Sequence, residues 1–63
     1  MDKDFAKSLQ VALASTTEVE YHLEFAADAA IIPRREFMLR QQEVIEVRRM
    51  LTGLVKHLRR SDR

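Results

Sequence analysis

Cysteine and tryptophan are absent from this 63-residue chain, and proline and glycine occur once each. Without cysteine, neither a disulfide nor a thiolate metal site stabilises the fold, which fits a reducing cytoplasm. The two histidines, His22 and His57, are too few for a histidine-based structural zinc site. A chain this short buries only about 60% of the surface that its unfolded form exposes. Of the usual ways to stabilise so small a protein, oligomerisation therefore remains.

Long apolar runs and a basic leader are missing as well. The uninterrupted apolar run at residues 29–32, which no other run exceeds in length, is far below the roughly 20 residues that a membrane span needs. The first four residues, MDKD, lack the basic-then-apolar order of a secretory signal. We therefore expect a soluble, cytoplasmic protein that does not associate with membranes.

The residues that are present are typical of amphipathic helices, with 46% apolar and 33% charged side chains. Their charge is unevenly distributed. Residues 1–32 carry two lysines against six acids, a balance of −4, and residues 33–63 carry nine lysines and arginines against four acids, a balance of +5. This asymmetry favours electrostatic pairing of the two halves, within one chain or between chains.

Pro33 divides the chain into two predicted helices, because proline disfavours helical geometry in the residue before it and suits the first turn of a helix. The expected helices cover about residues 3–30 and 33–60, with a short turn at 31–33. So short a connection makes the helices antiparallel neighbours. The prediction is an all-α fold with a single domain over residues 1–63, an antiparallel two-helix hairpin.

The ends of the first helix are predicted from its side chains. Asp2 or Asp4 can cap its N-terminus. No residue before Pro33 offers a side-chain cap to the second helix, and burial of Ile31 and Ile32 is therefore expected to stabilise the turn.

Apolar residues recur at alternating spacings of four and three along both helices, which is typical of helices in a bundle. The residues predicted to pack in the core or in an oligomer are Phe5, Leu9, Leu13, Val19, Leu23, Phe37, Val44, Val47, Leu51, Leu54 and Leu58. Two facing helices cover one apolar stripe each, and the remaining apolar residues need another partner. We therefore expect a homo-oligomer, either a dimer that forms a four-helix bundle or a larger ring.

Folding the chain about Ile32 places residue i opposite residue 64 − i, so that Thr16 lies near Arg48. Arg48 and Arg49 then lie about one turn from Glu20 or Glu24, which predicts an ion pair between the helices. Gly53 lies opposite the small residues 12–15. Its cost inside a helix, about 1 kcal/mol relative to alanine, suggests a close helix approach; the alternative is an exposed, tolerated glycine.

No catalytic or metal-binding pattern is found. A di-iron bundle requires Glu-x-x-His on two helices, but no glutamate stands three residues before His22. The serines and threonines have no base at an identifiable spacing. The sequence thus predicts a protein that is not an enzyme and has no cofactor or metal.

Basic residues form two groups, one near the turn and one near the C-terminus. Repeated around an oligomer, either group would form a ring of positive charge able to contact phosphate; the alternative is a solvated helix face. The candidates for nucleic-acid contact are Arg34, Arg35, Lys56, Arg59 and Arg60, with Arg40 and Arg63 beside them.

Three segments resemble a known family: VALAS at 11–15, TEVEYHL at 17–23 and EVRRMLTGLVKHLRR at 46–60. They are similar to the last two helices of the four-helix-bundle proteins encoded by intervening sequences of bacterial 23S rRNA genes. Members of that family are usually about twice this length. The resemblance therefore implies half a bundle, completed by a second copy, by another helical bundle protein or in a larger ring, since some relatives are pentamers.

Most members of that family have no assigned activity, and one relative is an accessory protein that binds a reverse transcriptase and nucleic acid. We therefore expect a non-enzymatic, self-associating helical bundle with an interaction or scaffold role. The alternative is a module associated with nucleic acid or ribonucleoprotein through the basic residues of the second helix.

Overall fold

The computed structural model describes residues 1–61. This part of the chain forms two α-helices, α1 (Lys3–Asp28) and α2 (Arg34–Ser61), which pack side by side as a hairpin. The predicted all-α hairpin is confirmed. Arg63 of the second basic group lies outside the described residues.

Asp2 is the N-cap of α1. Its Oδ1 accepts a hydrogen bond of 2.7 Å from the backbone N–H of Asp4. This bond satisfies one of the amides that a helix start leaves unpaired. Asp4 lies in the first turn, where its negative charge opposes the helix dipole. Of the two predicted caps, Asp2 is therefore the one that is used.

The turn between the helices is a Schellman motif that ends α1 at Asp28, two residues earlier than predicted. The backbone N–H of Ile31 donates to Ala26 O at 2.8 Å, and that of Ala30 donates to Ala27 O at 3.0 Å. Ala30 occupies the left-handed position of this motif with φ 58°, where glycine is usual. Backbone hydrogen bonds, rather than buried isoleucines, thus stabilise the turn.

The isoleucine prediction is wrong for Ile31, which is 68% exposed, while Ile32 is half-buried. Pro33 lies just before α2 rather than inside it, and its carbonyl accepts from the N–H of Phe37 at 3.0 Å. Pro33 therefore immediately precedes α2, whereas the prediction places it at the first position of the helix.

The hairpin is a single layer of helices that measures 48 × 17 × 9 Å. Among residues 1–61 only Leu9, 6% exposed, and Thr16, 7% exposed, are buried. Folded domains usually bury their apolar faces between at least two layers of secondary structure. Residues 1–61 form one layer, and its faces are open to solvent.

Candidate interaction surface

The two helices meet along a stripe that is rotated from the predicted one. On α1 the buried and half-buried positions follow the spacing 3-4-3-4-3-4 along Ala6, Leu9, Leu13, Thr16, Glu20, Leu23 and Ala27. On α2 they follow 4-3-4-3-4-3 along Phe37, Gln41, Val44, Arg48, Leu51, Val55 and Leu58. Seven of the eleven predicted apolar residues therefore lie within the helix–helix contact, and four lie beside it: Phe5, Val19, Val47 and Leu54.

A polar cluster occupies the middle of this contact. The guanidinium of Arg48 donates to Glu20 Oε1 at 2.6 Å and to Thr16 Oγ1 at 3.1 Å, and the Thr16 hydroxyl donates to Leu13 O at 2.6 Å. The side chains of Arg48 and Glu20 are 34% and 23% exposed. The predicted ion pair between the helices is confirmed for Arg48, and Thr16 and Arg48 satisfy the predicted pairing rule.

Val19 and Val47, which lie beside the contact, line a groove along one face of the hairpin together with residues at the edge of the contact. We call this the apolar groove; it has a volume of about 520 Å³ and is lined by Ala12, Ser15, Thr16, Val19, Glu43, Val44, Val47 and Leu51. Val19 and Val47 are 47% and 42% exposed. Both valines are predicted to pack in the core or in an oligomer, and within one chain they lie at an open face.

The polar side chains that line the apolar groove are already hydrogen-bonded within the chain. Ser15 Oγ donates to Val11 O at 2.8 Å, the Thr16 hydroxyl belongs to the Arg48 cluster, and Glu43 accepts from Arg40 at 2.9 Å. Small-molecule sites usually combine an apolar lining with a few polar groups aimed at the ligand. The groove lacks such groups, and its chemistry suits an apolar protein surface.

Arg40 lies beside the apolar groove between two carboxylates. Its guanidinium pairs with Glu36 at 2.8 Å and with Glu43 at 2.9 Å. The hydrogen bond and charge of Glu36, with the charge of Glu43 added, raise the pKa of Arg40 above its ordinary value. Arg40 is therefore already paired, which separates it from the other arginines near the turn.

Exposure extends beyond the groove. Eleven large apolar side chains are exposed, from 39% for Leu54 to 69% for Tyr21, and Phe5 of the predicted core is among them at 46%. The remaining predicted core residues, Leu13, Leu23, Phe37, Val44, Leu51 and Leu58, are half-buried. Two helices thus cover part of the apolar surface that the sequence provides.

Gly53 does not serve a close approach of α1 and α2, and that prediction is wrong. A Cβ atom built on Gly53 meets no atom within 4 Å, and the residue is exposed. The residues that share its shallow pocket are all on α2: Ile45, Arg48, Arg49, Thr52 and Lys56. Gly53 lies on the side of α2 turned away from α1, because the helix is rotated from the predicted orientation.

The predicted nucleic-acid residues lie in two separate groups, Arg34 and Arg35 at the start of α2 and Lys56, Arg59 and Arg60 near its end. All five are exposed, and within residues 1–61 none of them forms an ion pair. The guanidinium of Arg34 lies 6.0 Å from the centre of the Phe37 ring, a cation–π distance. The structure does not bring the two groups together within one chain.

His22 lies 3.8 Å from Glu18, one turn earlier on α1, and both side chains are more than 70% exposed. Within residues 1–61 no three histidine, aspartate or glutamate side chains lie close enough together to hold a metal ion. In the same part of the chain, neither helix has the apolar length that crossing a bilayer requires.

None of the family models, curated proteins or solved structures compared with this chain matches it. The resemblance to the proteins of 23S rRNA intervening sequences therefore stays a prediction.

Proposed function

We propose that this chain is a non-enzymatic, self-associating helical bundle protein of the cytoplasm that acts as a protein-interaction or scaffold module. One observation carries the proposal: the hairpin is a single helical layer whose apolar groove is open to solvent. Burying apolar surface stabilises a protein by about 25 cal/mol per Å². A second layer over the groove would supply the stabilisation that the two-residue interior of the hairpin lacks.

Two valines on α1 allow a matched test. Val19 lines the apolar groove, whereas Val11 lies outside it and is 58% exposed. In Val19→Asp, association would bury a carboxylate in an apolar contact, which is strongly unfavourable. We expect sedimentation equilibrium to show the dissociation constant raised about a hundredfold, equivalent to about 3 kcal/mol. Val11→Asp makes the same chemical change outside the groove and should change the constant less than about threefold.

Circular dichroism at matched concentrations shows whether each variant is still helical. If both aspartate variants associate as tightly as the unmodified chain, the groove is not the surface through which the protein assembles. If both dissociate equally, association does not depend on this face in particular.

The alternative function, association with nucleic acid, is favoured by the five exposed cations that have no ion-pair partner within residues 1–61. Within one chain the two groups lie at opposite ends of α2. Binding to phosphate weakens steeply between about 50 and 200 mM salt, whereas association through apolar surfaces does not. An absence of RNA and DNA retention at 50 mM salt would eliminate this alternative.

A further inference from the structure

The apolar groove, which carries the proposed self-association, also constrains how two chains assemble. We infer that a second copy of this chain covers it in a two-fold dimer, with α1 of each copy packed over α2 of the other. This inference rests on the proposed function and adds to it the occupant of the groove and the order of the four helices.

The exposed area supports a second copy. A folded monomer of 7.4 kDa is expected to expose about 4,200 Å². This chain exposes 5317 Å², which is more by about 1,100 Å². Two copies that each hid this excess would bury about 2,200 Å², and stable homodimer interfaces begin at about 2,000 Å². One additional chain is therefore large enough to cover an excess area of this size.

The lining of the groove is compatible with contact against itself. Its exposed centre is formed by Val19 and Val47, and its serine, threonine and glutamate side chains keep hydrogen-bond partners within their own chain. A two-fold interface brings the same patch of both subunits together. The usual penalty of such a contact is the burial of polar side chains that lack a hydrogen-bond partner. The polar side chains of this patch keep their partners, so the penalty is avoided.

Two arrangements bring the grooves of two hairpins face to face with two-fold symmetry. When the axis is parallel to the helices, α1 of each copy lies over α2 of the other. When the axis is perpendicular to the helices but parallel to the layers, α1 lies over α1 and α2 over α2. In both arrangements the facing helices are antiparallel, so packing geometry alone does not choose between them.

Charge distinguishes the two arrangements. Between Lys3 and Asp28, α1 carries two lysines and five acids, a net −3; between Arg34 and Ser61, α2 carries eight lysines and arginines and three acids, a net +5. Packed helices lie 8–10 Å apart, within the Debye length of about 10 Å at 0.1 M salt. The perpendicular axis opposes like charges, and the parallel axis opposes unlike ones. The dimer therefore has its axis parallel to the helices.

This arrangement makes a specific prediction of contacts. Rotation about an axis parallel to the helices keeps each residue at its own height along the bundle. Val19 and Val47 line the same part of the groove in one chain, so Val19 of one copy lies over Val47 of the other. The perpendicular axis instead places Val19 over residues of the second copy's α1.

The absence of native cysteine allows this to be tested by disulfide trapping. Val19→Cys and Val47→Cys chains, one of them labelled with ¹⁵N, are mixed, unfolded, refolded together and oxidised, and the products are identified by mass spectrometry. Random pairing would make half of the disulfides mixed, that is, between a Val19→Cys chain and a Val47→Cys chain. We expect the mixed disulfide to form well over half of the cross-linked product. Val19→Cys mixed with Gln42→Cys is the control, since Gln42 is exposed and about 140° around α2 from Val47, and it should give little cross-link.

The outcomes separate this inference from the proposed function. A predominance of Val19–Val19 and Val47–Val47 disulfides would overturn the helix order while leaving self-association intact. Dimers by mass that form no disulfide through either valine would overturn the groove as the interface. A monomeric mass for the unmodified chain would overturn the proposed function itself.

Discussion

At the scale of single residues, Arg48 fixes the alignment of the two helices. Its guanidinium donates hydrogen bonds to Glu20 and Thr16 across the hairpin. Loss of the arginine would leave the half-buried carboxylate of Glu20 without this ion-pair partner. Arg49, its neighbour, is exposed and has no ion pair within residues 1–61. The pair provides a matched comparison.

We expect Arg48→Met to lower the free energy of unfolding by about 1–2 kcal/mol, a value below that for fully buried pairs because water still screens this one. Arg49→Met should change it by less than about 0.5 kcal/mol. Urea unfolding at one fixed protein concentration measures both. Equal effects of the two substitutions would contradict the role assigned to Arg48.

Ala30 is the second residue with a distinct energetic role, because its φ of 58° is unfavourable for a side chain with a Cβ atom. Ala30→Gly should therefore raise the free energy of unfolding by about 0.5–1 kcal/mol, the strain relieved being larger than the entropy that glycine adds to the unfolded chain. Thermal and urea unfolding measure the change.

Ala29 is the control for this substitution, since its φ is −81° and its backbone is unstrained. Ala29→Gly should lower stability, because only the entropic cost of glycine applies. A decrease for both glycine variants would mean that the left-handed turn is not the conformation in solution.

At the scale of the helices, the sequence predicts the number of elements, the hairpin and the pairing of Thr16 with Arg48, because Pro33 places the turn and the position of the turn sets which residues are opposite each other. The rotation of each helix about its own axis was not predictable. The apolar stripe of α1 is wide enough to face α2 or to border a groove, and the spacing of its apolar residues alone does not determine which half faces inward.

The conformation of the turn was not predictable for a different reason. A Schellman motif is usually announced by glycine or asparagine at its left-handed position, and here the position holds alanine. The close helix approach expected at Gly53 is absent, because a glycine opposite small residues allows close packing only when it lies on the face of its helix that contacts the neighbouring helix.

Gly53 provides the prediction at this scale. It lies inside α2 with open space where a Cβ atom would be. Gly53→Ala should therefore stabilise the protein by about 1 kcal/mol through helix propensity alone, with no change in oligomer mass. Urea unfolding and light scattering test this; a weaker oligomer would show that Gly53 packs against another chain.

At the scale of the whole molecule, residues 1–61 form one helical layer with two buried residues, and we propose that association supplies the rest of its stability. Small domains bury a modest fraction of their surface even when compact, and this hairpin exposes more than a compact chain of its size. If the proposed association stabilises the fold, the unfolding transition should shift to higher temperature as the protein concentration rises.

The central claim, that the hairpin associates through its open face, is tested most directly by the mass of the unmodified chain in solution. Light scattering across a range of concentrations should give at least twice the chain mass of 7.4 kDa, with helical circular dichroism throughout. A helical, cooperatively folded species of 7.4 kDa at every concentration would contradict the account.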